Sequence, residues 1–233
     1  MKILGISGSA RAPELSGTYK FVKTTLEACG YEYDLISLRG KKIGGCTACL
    51  KCVKDNVCKQ PDDMTSLRDK IVEADAYVIG SPNYFSTINA ITHALLERLY
   101  QFRHREADFL WGKLAVAVGV GGSSGTCCCD EIEKFMSYSF IETIAKVSAQ
   151  GAPCCYICGY GETCKVGALV MIHGEGYKIR KEDIPDVSKQ PETVKAAVEA
   201  GKLMAQRLSK GHNRSDVTLK MQKLLMEKFR EST

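Results

Sequence analysis

Residues 2–18 read KILGISGSARAPELSGT. The apolar run Lys2–Ile6 has the character of a buried strand, and it stops at a Gly/Ser turn. Ser16-Gly17-Thr18 then opens an amphipathic stretch, Tyr19–Cys29, with Phe21, Val22, Leu26 and Cys29 spaced for one helix face. A strand, a turn and a helix start in that order bring unpaired amides and a positive dipole end to one place, which suits an anion. Ser7, Ser9, Ser16 and Thr18 add hydroxyls, and Arg11 adds charge. A phosphate dianion fits this set. An ordinary strand–turn–helix junction with a serine N-cap is the alternative. The three-glycine dinucleotide fingerprint and the GK[ST] ending of a Walker loop are both missing, so the pattern suits a mononucleotide phosphate.

Outward from this unit, apolar runs alternate with helical patterns. Glu32–Leu38, Ala76–Gly80, Leu114–Val120 and Ala152–Cys158 read as strands, and Met64–Ala74, Thr87–Tyr100, Asp130–Gln150 and Thr193–Ser209 read as helices. Five strands separated by helices predict a doubly wound parallel α/β sheet, covered on both faces. Gly159–Val187 is glycine-rich and irregular. His212–Thr233 reads as a polar linker and a short amphipathic helix (Leu219, Met221, Leu224, Leu225, Phe229), a packing or oligomer element. The expected organisation is one domain over residues 1–210 and a helical tail over 211–233.

Two further loops leave the same sheet edge. Ser81-Pro82-Asn83-Tyr84-Phe85 follows the third strand, and Gly121-Gly122-Ser123-Ser124-Gly125 follows the fourth. Ligands of open α/β sheets bind beyond the carboxyl ends of the strands. Tyr84 and Phe85 can lie against a flat ring, or equally pack into the core. The glycines let backbone amides approach a ring closely. Taken together, residues 5–18, 81–85 and 121–125 resemble the flavodoxin-like superfamily of NAD(P)H-dependent FMN reductases, over about residues 1–210. The resemblance implies the strand order 2-1-3-4-5, FMN as cofactor, and binding by Ser7, Ser9, Arg11, Ser16, Gly17, Thr18, Pro82, Asn83, Tyr84, Phe85, Gly121, Gly122, Ser123 and Gly125.

The chain has 12 cysteines in 233 residues, and no secretory leader is evident at its start, so metal or redox chemistry is the first explanation for them. Cys46, Cys49, Cys52 and Cys58 follow the spacing C-x2-C-x2-C-x5-C. Repeated C-x2-C steps let successive thiolates wrap one iron–sulfur cluster. Structural zinc, which also takes four cysteines, is the alternative. Within residues 43–60, after the second strand of such a domain, this motif is similar to that of the iron–sulfur flavoprotein family. That resemblance implies a [4Fe–4S] cluster on these four cysteines and a homodimer or homotetramer. In the order 2-1-3-4-5 the second strand lies at an edge, so a neighbouring subunit is expected to bring cluster and flavin together.

A second group, Cys154, Cys155, Cys158 and Cys164, repeats the x2 and x5 spacings, and Cys127-Cys128-Cys129 follows the glycine-rich loop. These read as buried small hydrophobes, as ligands of a second metal, or as redox thiols. Cys29 reads as structural. His93, His104, His173 and His212 are dispersed and read as surface or helix residues, and Trp111 as core or interface. No acid–base dyad is evident. The expected function is electron transfer between a one-electron carrier and a two-electron acceptor, with ferredoxin or NAD(P)H as donor. A plain flavin or quinone reductase with zinc, or a cysteine-based redox or metal sensor, are the alternatives. A net charge of +5 from scattered basic residues does not point to nucleic acid, and no stretch has the length of a membrane span. A cytoplasmic protein is expected.

Overall fold

The computed structural model describes residues 1–105 and 107–231. The last two residues of the expected tail, 232 and 233, lie outside the described residues. The elements are β1 (Lys2–Ser7), α1 (Gly17–Cys29), β2 (Glu32–Ser37), α2 (Met64–Glu73), β3 (Ala76–Tyr84), β4 (Thr87–Ile88), α3 (Ala90–Glu97), β5 (Leu114–Gly121), α4 (Thr126–Tyr138), β6 (Glu142–Gln150), α5 (Ala168–His173), α6 (Pro191–Ser209) and α7 (Arg214–Glu231). Short 3-10 turns fill several connections.

The strands form one sheet in the order β2-β1-β3-β5-β6, with β4 paired to the end of β3. β1, β2, β3, β5 and β6 are parallel, and β4 is antiparallel. The fold is flavodoxin-like α/β. The expected count of five strands is corrected to six, because the loop after β3 turns back as a hairpin before α3 begins.

Period-2 alternation distributes the strand side chains between two cores. On one face Leu4, Ile6, Tyr77, Ile79, Ala115 and Ala117 meet α2, α3 and α4. On the other, Ile3, Ala76, Val78, Leu114, Val116 and Val118 meet α1, α6 and α7. The helix starts follow local chemistry. Ser16 caps α1 by accepting the Tyr19 N–H at 3.0 Å, and α1 ends at Gly30 in the left-handed region. Asn89 caps α3.

Three expected elements are corrected. The stretch Asp130–Gln150 is not one helix: α4 stops at Tyr138, Phe140 takes φ +53° in the turn, and Glu142–Gln150 becomes the edge strand β6. Its sequence lacks a clean strand period, and pairing with β5 decides its state. Ala152–Cys158 is not a strand, because Pro153 leads into a 3-10 turn over Cys154–Tyr156. The helix expected over Thr87–Tyr100 is divided between β4, α3 and a 3-10 turn over Arg98–Phe102. In α7 the buried residues are Val217, Met221 and Leu225, whereas Leu219, Leu224 and Phe229 stay exposed. Trp111 packs edge-on against Phe140. No described helix is long and apolar enough to cross a membrane.

Buried thiols give the core a pH signature. Burial pushes Cys29 up to about 11 and Cys129 up to about 12, and Cys128 rises in the same direction. Folding therefore favours the neutral thiols. Their contribution is complete below the unfolded value of 9.0 and is lost as pH rises toward the folded values. Each thiol ionised only in the unfolded chain contributes a slope of about 1.4 kcal/mol per pH unit. Burial lowers Lys113 to about 8, which opposes this trend between pH 8 and 10.5 but is a single group. Stability is expected to fall between pH 9 and pH 11. Urea unfolding of a Cys29→Ala/Cys129→Ala variant should show a flatter decline than the parent chain, and equal slopes would refute the assignment.

Candidate functional site

The three loops expected at the carboxyl edge are joined there by two asparagines. Asn89 donates from Nδ2 to the Gly8 carbonyl at 2.7 Å, while its Oδ1 accepts from the Thr92 amide at 3.3 Å. Its own amide donates to Ser81 Oγ at 3.2 Å. One buried side chain thus holds the phosphate loop, the end of β3 and the start of α3. Asn83 does the same on the other side: Nδ2 donates to the Ser124 carbonyl at 2.9 Å, and Oδ1 accepts the Ser86 N–H at 2.9 Å. Asn83 stood among the expected residues. Asn89 did not, because an asparagine before a helix reads only as a cap.

In the phosphate loop, a Cβ on Gly8 would overlap the Thr92 hydroxyl, so only glycine fits. Ser7 is fully buried, and its hydroxyl has no hydrogen-bond partner among the described residues. Ser9 Oγ accepts the Arg11 N–H at 3.2 Å, and Ser16 Oγ accepts from Tyr19, so both shape the loop and keep a hydroxyl proton to donate. Gly17 begins α1, where first-turn amides lack intrahelical acceptors. Thr18 is buried on the face of α1 that meets Gly80. Arg11 turns away toward β6, donating to the Ala152 carbonyl at 3.0 Å. An orphaned buried hydroxyl, helix amides and a glycine cradle fit a phosphate.

Pro82 lies within β3, beside β5. Tyr84 and Phe85 are exposed at the hairpin tip, so the core-packing alternative is corrected. Asn83 pairs with Ile88 and Tyr84 with Thr87, leaving a two-residue turn. Both turn residues are left-handed, Phe85 at φ +54° and Ser86 at φ +63°. Such turns favour glycine or asparagine, and the strain persists because neighbours hold the hairpin. Glu131 of α4 accepts from the Thr87 hydroxyl and, at 3.0 Å, from the Ile88 amide. In the glycine-rich loop Gly121 and Gly125 are buried, and Gly122 and Ser123 are exposed. A Cβ on Gly119 would overlap the Gly125 carbonyl, so the backbones touch. Ser148 of β6 fixes the loop by accepting the Gly125 N–H at 2.8 Å.

The cysteine loop leaves β2 and crosses to the far end of α3. Three of its non-glycine residues, Ala48, Leu50 and Asn56, are left-handed, which curls the chain tightly around Cys49 and Cys52. The Lys51 amide and the Thr47 hydroxyl hydrogen-bond the Cys49 sulfur and hold its thiol below the usual range. Burial raises the Cys52 thiol, and Cys58, Cys46 and Cys49 each add to that rise. No three His, Cys, Asp or Glu side chains converge on one point among the described residues. Four soft thiol donors in one short, clamped loop fit a thiophilic group such as an iron–sulfur cluster.

Residues after α3 begins hold this loop, and none of them was expected from sequence. Arg98 is buried, and its guanidinium pairs with Asp62 at 2.6 and 3.1 Å while donating to the Gly44 carbonyl at 2.9 Å. Glu97 accepts the Cys46 N–H at 3.0 Å, and Gln101 the Cys58 N–H at 3.0 Å. His104, expected as a surface or helix residue, is buried with Nε2 3.2 Å from Cys52 Sγ. The spacing 97, 98, 101, 104 is helical, but a charged row on a helix usually faces water. Replacing Arg98 by Met leaves Asp62 half-buried without its partner. It is expected to cost about 3–5 kcal/mol in urea unfolding and to speed the reaction of Cys52 with a thiol reagent. Adding Asp62→Asn should recover part of the loss; an unchanged loop would exclude the clamp.

The remaining thiols divide. Cys128 and Cys129 are core residues of α4, and Cys127 packs half-buried against them. Cys154 and Cys158 are exposed, and Cys155 and Cys164 are half-buried.

Comparison with known proteins agrees with this geometry. The chain is 33% identical over 120 residues to an iron–sulfur flavoprotein of Archaeoglobus fulgidus, covering 52% of this chain and 62% of that one. It is 37% identical over 127 residues to one of Methanocaldococcus jannaschii, covering 53% and 63%. The matches thus span less than two thirds of those relatives. The solved structure of RosB with a bound riboflavin-5′-phosphate derivative superposes with a TM-score of 0.63 at 16% identity, over 100% of this chain and 88% of that one. This last likeness concerns the fold alone. Residues 1–146 match the sequence profile of NADPH-dependent FMN reductases. The strand order, the hydroxyl-rich loop at β1–α1 and this match over more than half of the chain agree: it belongs to the NADPH-dependent FMN reductase family.

Proposed function

We propose that the chain is an FMN-dependent oxidoreductase that also carries a [4Fe–4S] cluster on Cys46, Cys49, Cys52 and Cys58. It would pass electrons between a one-electron donor such as ferredoxin and a two-electron acceptor, with NAD(P)H as the other donor class. The observation that carries this reading is that α3 and the turn after it clamp the four-cysteine loop, while Asn89, the cap of α3, braces the loop after β1. FMN takes and gives electrons singly or in pairs, an iron–sulfur cluster singly, and the two together connect one-electron and two-electron chemistry. The relatives named iron–sulfur flavoproteins support the assignment.

The chain's own part is binding and shielding. The amides at the start of α1, with Ser7, Ser9 and Ser16, would hold the phosphate. Pro82, Asn83 and the Gly121–Gly125 loop would line the ring, with Tyr84 and Phe85 overhanging it.

The loop carrying Cys46–Cys58 sits at the Glu97 end of α3, and Gly8 at the Asn89 end. Eight residues of helix separate these ends by about 12 Å, at 1.5 Å per residue. A homodimer or homotetramer, in which one subunit's cluster approaches its neighbour's flavin, is part of this proposal.

Anaerobically purified protein should contain FMN, iron and acid-labile sulfide. Cys49→Ser/Cys58→Ser should lose iron and keep flavin, and Gly8→Val should lose flavin and keep iron. Flavin with zinc in place of iron, or no flavin at all, would defeat the proposal. Mixing the two variants under conditions of subunit exchange should restore ferredoxin-coupled turnover that neither shows alone; failure to restore it would refute the shared site.

A further inference from the structure

The second cysteine group has the local geometry of a metal knuckle. Cys155-Tyr156-Ile157-Cys158 follows a 3-10 turn, in which the Ile157 amide donates to the Cys154 carbonyl at 2.9 Å. Gly159 is left-handed at φ +81°, directly after Cys158. That turn aims the Tyr160 N–H back at Cys158 Sγ, 3.4 Å away. The Cys158 thiol in turn lies 3.6 Å from the Cys155 carbonyl, so both ends of the C-x2-C step are held in one tight turn.

The chain then folds back. The Cys164 N–H donates to the Tyr160 carbonyl at 3.0 Å, and the Gly167 N–H to the Cys164 carbonyl at 3.0 Å. Gly161 lies so close to the Cys155 carbonyl that a Cβ would overlap it. Leu169 of α5, fully buried, packs beside Gly161 and anchors the lobe. The four sulfurs are exposed or half-buried, unlike Cys128 and Cys129, which are core atoms.

We propose that Cys155, Cys158 and Cys164, with Cys154 at the fourth position, bind one thiophilic divalent ion, Zn²⁺ or Fe²⁺, at a site separate from Cys46–Cys58. The Cys155–Cys158 turn is formed already. Cys164 and Cys154 close onto it with the ion, since no three donors converge among the described residues beforehand. Ligation releases the thiol protons and involves no electron transfer. The site adjoins the carboxyl edge, where Pro153 Cγ lies 3.2 Å from a Cβ position on Gly122. It therefore stiffens the lobe beside the glycine-rich loop.

The test uses the full chain purified anaerobically. With Cys46, Cys49, Cys52 and Cys58 replaced by Ser, elemental analysis should find one zinc or iron per chain, without acid-labile sulfide. Zinc or iron identifies the ion. Co²⁺ added as a probe should give thiolate charge-transfer bands, abolished by Cys155→Ser/Cys158→Ser. In the otherwise native chain, Cys155→Ser/Cys158→Ser should remove one equivalent of metal and leave labile sulfide and FMN unchanged. If the four-serine chain fails to fold, this second comparison decides alone. Unchanged total metal, labile sulfide accompanying the second ion, or a Cys155–Cys158 disulfide in its place would each overturn the proposal.

Discussion

The Asn89 side chain closes the carboxyl edge of the sheet. Its amide nitrogen holds the Gly8 carbonyl while its oxygen caps α3, so the loop after β1 and the helix after β4 cannot move independently. A buried amide fulfilled on both sides is rigid, because breaking either bond leaves a polar group without a partner away from water. The hairpin tip and the glycine-rich loop are tied into this frame by Asn83 and Glu131. Strained turn residues such as Phe85 and Ser86 survive there because their surroundings leave them no relaxed alternative.

α3 carries the architecture from one candidate cofactor region to the other. Its N-terminal end belongs to the phosphate loop, and the residues after its C-terminal end belong to the cysteine loop. Arg98 is the counterpart of Asn89: a buried charge, matched by Asp62 and by a backbone carbonyl, that fixes a segment with little apolar surface of its own. Most side chains of the cysteine loop are exposed, so hydrogen bonds and charge rather than burial position it.

The parallel strands β1, β3 and β5 were legible because each is a short apolar run beside a turn, and β2 because its residues alternate. The helices α1 and α6 were legible from their 3.6-residue period. β6 was not, since an edge strand buried on few of its residues has the composition of a helix. β4 was not, since a two-residue strand carries no period. Of the candidate site, the two loops rich in glycine, proline and asparagine and the Cys46–Cys58 spacing were legible from local chemistry alone. Asn89, Arg98, Gln101 and His104 were not, because their partners are 36 to 81 residues away in the chain.

Sequence by itself determined what is local: the α/β class, the anion-suited turn after the first strand, and a run of four thiols with cluster spacing. These follow from residue type and interval, which hold in any chain conformation. Tertiary structure alone decided which thiols are core and which are accessible, where the cysteine loop docks, and which side chains join the three edge loops. Those outcomes depend on contacts between distant segments, and a contact of that kind has no signature in the residues on either side of it.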